Sequence, residues 1–124
     1  MNQIIAFIAF IALTFSNLTV SQPQGKYCGD IFDNSLIIDL NTTQKFANIT
    51  ADIFGDSSNC PNEPYLYNKT SMKMNLPSNP NDCLNKILKQ YGACPCPPDI
   101  LFDPKKNTLN VENTELGTIE LKSC

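Results

Sequence analysis

The chain has 124 residues, with nine lysines, no arginine, no histidine and twelve acidic residues, giving a net charge of −3. That balance excludes the basic footprint on which nucleic-acid binding depends, and with it the character of a cationic membrane-lytic peptide. Without histidine, neither a Ser-His-Asp triad nor a Cys-His pair can be built.

Residues 4–15 are an uncharged apolar run of signal-peptide length, short of the roughly 20 apolar residues that span a bilayer. Ser21, with Thr19 two positions earlier, offers a cleavage site before Gln22. Residues 1–21 are therefore expected to be a signal peptide, and residues 22–124 a single disulfide-stabilised domain. The expected location is extracellular or in the lumen of the secretory pathway. No later apolar run supplies a stable membrane anchor once the signal is removed.

All six cysteines (Cys28, Cys60, Cys83, Cys94, Cys96 and Cys124) follow that cleavage site. An even number in a secreted chain reads as disulfides, here three. Cys28 opens the domain and Cys124 closes it, so a Cys28–Cys124 bridge would pin both ends. The remaining pairing is not fixed by sequence. Asn41, Asn48 and Asn68 each head an N-glycosylation sequon, which predicts exposure at those positions.

Along the chain, residues 36–40 and 45–54 alternate apolar and polar side chains, as half-buried strands do. In the second, Ala47, Ile49, Ala51 and Ile53 share one face. Phe46 and Phe54 fall on the other, where they are read as core cover, with an apolar patch for a partner or lipid as the alternative. Residues 57–64 read as a loop stapled by Cys60. Residues 65–67 and 71–76 alternate again, around a hairpin turn over 68–71.

A helix is expected near 80–91. Leu84, Ile87, Leu88 and Tyr91 form its apolar stripe, Asn79 its cap, Pro80 its first position and Gly92 its left-handed close. Cys83 lies beside the stripe, where a bridge could bolt the helix to a sheet. Residues 93–98 (Ala-Cys-Pro-Cys-Pro-Pro) read as a stiff extended loop tied down at two points rather than a zinc knuckle. Strands over 100–102, 108–111 and 118–121 follow, separated by turns at 103–107 and 112–117.

The predicted fold is α+β: an antiparallel meander of about 6–8 short strands with one helix packed on it. An all-β sandwich with a short helical connection is the alternative. Asp30 with Asp33, and Asp99 with Asp103, are the carboxylate pairs open to acid–base work, and both read as turn chemistry. Residues 52–59 lack the alternating ligands and distal Glu of an EF-hand. No catalytic residue, metal ligand or cofactor is assigned. The expected function is a secreted, non-enzymatic binding module for an extracellular protein. The alternatives are a carrier of a lipid or other small apolar ligand, and an inhibitor of a secreted hydrolase that presents the 93–98 loop.

Overall fold

The computed structural model describes residues 21–113 and 117–124. The expected signal peptide lies outside the described residues apart from Ser21, and so does the middle of the expected 112–117 turn. The strands are β1 (Gly25–Ile31), β2 (Asn34–Asn41), β3 (Phe46–Ile53), β4 (Asp56–Pro64), β5 (Leu66–Asn68), β6 (Lys73–Asn75), β7 (Asp99–Asp103), β8 (Thr108–Asn113) and β9 (Gly117–Ser123). One helix, α1 (Cys83–Gln90), separates β6 from β7.

The described residues are thus mostly antiparallel β with one short helix. The nine strands exceed the expected 6–8, and an all-β description fits as well as an α+β one. The undercount has two sources. Asp56–Pro64, read as a loop for its Asn, Ser and Pro content, pairs along β3 as a strand. Gly25–Ile31 carries little alternation, yet it is paired on both sides, by β2 and β9. In both cases tertiary pairing overrides weak local preference.

All nine strands form one sheet, in the order β4-β3-β2-β1-β9-β8-β7-β6-β5. Every pairing is antiparallel. β4 and β5 therefore run in the same direction at opposite edges, yet only Tyr65 separates them in sequence. One residue advances the chain by about 3.8 Å, so the two edges must meet. The sheet curls into a near-closed barrel, and residues 56–68 act as one bent strand. Its first part pairs with β3 and its last part with β6. A strand that changes partners at a bend is a common way to turn such a corner. Tyr65 N–H still donates to the Lys45 carbonyl at 3.2 Å, which holds the bend against the β2–β3 turn.

The alternation expected of β3 is present: Ala47, Ile49, Ala51 and Ile53 are buried. Registered rungs continue this inner face across the sheet, Ile38 beside Ile49 beside Cys60 on one side and Ile100 beside Val111 beside Ile119 on the other. Leu84 and Leu88 of α1 are buried and face both rungs. The helix thus fills the side of the barrel that β4 leaves open when it bends away from β6. The small space left among these side chains has a volume of about 40 Å³ and a mostly apolar lining.

The helix is shorter than expected, and its start differs. Asn79 does not cap it: its side-chain oxygen accepts from Asn81 N–H, forming a turn one step earlier. Asp82 is the N-cap residue but makes no side-chain cap bond. Asn85, fully buried, donates to the carbonyls of Pro77 and Asn79 at 2.8 and 2.9 Å and fixes the approach to the helix. Gly92 closes it with φ 65°, as the sequence indicates.

Three disulfides join Cys28 to Cys124, Cys60 to Cys83 and Cys94 to Cys96, with Cα separations of 5.9, 5.7 and 4.6 Å. The first locks the β1–β9 pairing, where Gly29 also lets the two strands approach: a Cβ there would collide with the Glu120 carbonyl. The second attaches the first residue of α1 to the inner face of β4. The third corrects the sequence reading of the 93–98 loop. Its cysteines bond to each other across one residue, so they do not tie the loop to two distant points.

Candidate functional site

Strand direction sorts the turns into two ends. The β1–β2 and β3–β4 turns, the α1–β7 connection and the start of β7 lie at one end, while α1 begins beside Glu63, nearer the other. The β2–β3, β5–β6 and β7–β8 turns lie at the other, with the start of β1 and the end of β9.

The first end carries the least expected side chains of the protein. Phe32 is 91% exposed and Phe54 65% exposed. Each stands at the tip of a hairpin with positive φ, 54° and 53°. The left-handed region suits Gly and Asn, and it costs another L-residue about 1–2 kcal/mol. The tips are linked, since Phe54 N–H donates to the side-chain oxygen of buried Asn34 at 2.9 Å. Phe54 also packs against Tyr91 at the end of α1, with ring centroids 5.9 Å apart. The Tyr91 hydroxyl donates to Asp56 at 2.9 Å, and that bond raises the tyrosine's pKa. Phe46, on the outer face, is 38% exposed. The core reading of Phe46 and Phe54 is therefore corrected: neither belongs to the buried cluster.

Charge is unevenly placed. Lys26, Lys45, Lys69, Lys105, Lys106 and Lys122 occupy the turns and strand ends opposite the phenylalanines. Asp30, Asp33, Asp52, Asp56, Asp99 and Glu112 lie toward the aromatic end, although Lys89 joins them there, Asp99 is paired with Lys73, and Asp39 and Asp103 sit among the lysines. No run of residues in the sequence shows this polarity, because it arises only when alternate turns are gathered.

The sequons avoid the aromatic end. Asn41 and Asn68 are exposed at the lysine end, and their side-chain oxygens accept from Thr43 and Thr70 N–H at 3.1 and 2.9 Å. Asn48 is exposed on the outer face of β3 and accepts from Asn62 N–H at 2.9 Å.

The carboxylate pairs do not converge on a cleft. Asp30 and Asp33 are exposed at the β1–β2 hairpin. Asp99 bridges Lys73 at 2.8 Å, and Asp103 accepts the backbone N–H groups of Lys105 and Lys106 in the β7–β8 turn. Residues 52–59 form the β3–β4 hairpin.

A different acidic pair, missed in the sequence, lies at the start of α1. Glu63 is 4% exposed, and burial raises its pKa to about 7, helped by a hydrogen bond with Asp82 and by that residue's charge. Leu84 N–H donates to the Glu63 carboxyl and opposes the shift. Oε2 of Glu63 and Oδ2 of Asp82 have no other partner. Two carboxyls bond to each other only when one carries a proton, so a shared proton satisfies both atoms. β4 thus caps α1 from outside the helix, which is why Asn79 is not needed. Nothing in the order of residues signals this contact. The Glu63 carboxyl also lies within 4.8 Å of the Cys60 and Cys83 sulfurs, but those form a disulfide and offer no thiolate to a metal.

No helix among the described residues is long and apolar enough to cross a membrane, and the three disulfides fit an oxidising compartment. Comparisons of the chain with protein-family models, with curated proteins and with solved structures found no match.

Proposed function

We propose that this protein is a secreted, non-enzymatic binding module whose contact surface is the aromatic end of the barrel. The observation that carries this reading is the pair Phe32 and Phe54. Both side chains occupy left-handed tip positions and are largely exposed, Phe32 almost wholly and Phe54 apart from its contact with Tyr91. Lys45 and Met72 hold the same left-handed backbone at the other end, so it is the exposure of two large aromatic rings at such tips that favours a contact role. The acidic groups around the tips give the partner its complement: a protein surface with apolar sockets bordered by basic side chains. The three sequons lie away from this end, so glycans on Asn41, Asn48 or Asn68 would leave it open.

The carrier reading has less support. Ligand pockets run to about 300–1,000 Å³, and the interior space of about 40 Å³ is far below that.

A photo-crosslinking phenylalanine analogue placed at Phe32 or at Phe54, in protein made by its own secretory host, tests the proposal. Both positions should trap the same extracellular protein. The same analogue at Lys45 or Lys105, on the opposite end, should not. Equal trapping from both ends, or trapping only from the lysine end, would remove the aromatic end as the contact surface.

A further inference from the structure

The three disulfides do different work. Cys28–Cys124 spans 96 residues and closes the barrel between β1 and β9. Cys60–Cys83 spans 23 and attaches the helix. The constraint a bridge places on the chain grows with the loop it closes. Cys94–Cys96 spans a separation of only 2, so it constrains almost nothing that the backbone does not already fix. Among the described residues no strand pairing or helix attachment depends on it, and Cys96 packs against the core from its own side. Its neighbours Ala93 and Pro98 are buried and anchor the loop's base, while Cys94 and Pro95 are exposed at its tip. The loop joins α1 to β7 at the aromatic end.

From this division of labour we infer that Cys94–Cys96 is an exchange-competent disulfide that oxidises a dithiol on another extracellular protein. A thiolate of the incoming dithiol attacks the Sγ of Cys94, the more exposed of the two residues. The Cys94–Cys96 bond breaks and Cys96 leaves as a thiolate, giving a mixed disulfide through Cys94. The partner's second thiolate then attacks its own sulfur in that mixed disulfide and releases Cys94. Two electrons pass to the protein, which ends as the Cys94/Cys96 dithiol, and the partner ends as a disulfide. Protons lost by the two attacking thiols match those gained by the two cysteines. The other two bridges take no part and keep the fold intact. This activity does not depend on the aromatic tips being a binding surface.

Graded reduction with dithiothreitol, followed by alkylation and peptide mapping, tests the inference on the wild-type protein. Cys94 and Cys96 should be labelled together at a reductant concentration at least tenfold below that needed for Cys28, Cys60, Cys83 and Cys124. Circular dichroism and the melting curve should not change at that point. A peptide carrying two thiols should be oxidised in a one-to-one ratio by the wild type and not by C94A/C96A. Reduction of Cys28–Cys124 first, or of all three bridges together with unfolding, would overturn the inference. So would equal peptide oxidation by C94A/C96A.

Discussion

The side-chain oxygen of Asn34 accepts the backbone N–H of Phe54 at 2.9 Å, joining the start of β2 to the tip of the β3–β4 hairpin. Asn34 is 6% exposed, so this bond is shielded from water. Through it, the hairpin that carries Phe32 and the hairpin that carries Phe54 hold a common arrangement. Asn34→Ala should lower stability by about 1 kcal/mol, the cost of removing a partly buried hydrogen bond. The Phe54 amide should lose hydrogen-exchange protection, while the β8–β9 pairing keeps its own. Unchanged protection at Phe54 would show that the bond does not organise the tip.

The Glu63–Asp82 pair predicts how stability depends on pH. Glu63 titrates near 7 in the folded protein, against an ordinary 4.5. The folded state therefore binds more protons than the unfolded state between these values, and stability falls as pH rises through that window. The contribution is complete below about pH 4.5 and lost above about pH 7. A shift of this size corresponds to roughly 3 kcal/mol at most. Glu63→Gln keeps a donor toward Asp82 and removes the titration. Urea unfolding at pH 5 and pH 8 should show a smaller drop for this variant than for the wild type, and the variant should be the more stable of the two at pH 8. An equal drop in both proteins would rule out Glu63 as its source.

Gly29 marks the close approach of β1 to β9. An added methyl group would meet the Glu120 carbonyl and the Leu121 side chain, and the first of these is backbone that cannot rotate away. Gly29→Ala should cost about 1–3 kcal/mol, the range for overpacking a tight contact. The same change at Gly55, where a Cβ meets nothing, isolates the backbone term, because Gly55 has φ 86°. Gly29 has no such φ, so an unchanged stability of Gly29→Ala would mean that the β1–β9 spacing is looser than described.

How much of this was legible beforehand varies by element. The period-two pattern of Phe46–Ile53 announced a strand with a buried Ala/Ile face, because one face alone meets the core. The apolar stripe of α1 and the closing Gly92 were equally readable. The strand Asp56–Pro64 was not, since its pattern is set by pairing with β3 and by the inward Cys60, with little local preference of its own. The Glu63–Asp82 contact joins residues 19 apart through the curl of the sheet. The aromatic end was least legible of all. Phe54 was read as core cover and Phe32 drew no reading, and only their turn geometry places them in solvent.

The central claim is that Phe32 and Phe54 are held at strained tips for contact rather than for folding. The direct measurement compares the melting temperature and the partner affinity of wild type and the double variant F32N/F54N. Asn accepts the left-handed conformation more readily than Phe, so the variant should melt no lower than the wild type, apart from the loss of the Phe54–Tyr91 contact, worth about 0.5–1.5 kcal/mol. Binding to the partner trapped at these positions should fall at least tenfold. A variant that keeps full affinity, or one that loses its fold along with its binding, would contradict the account.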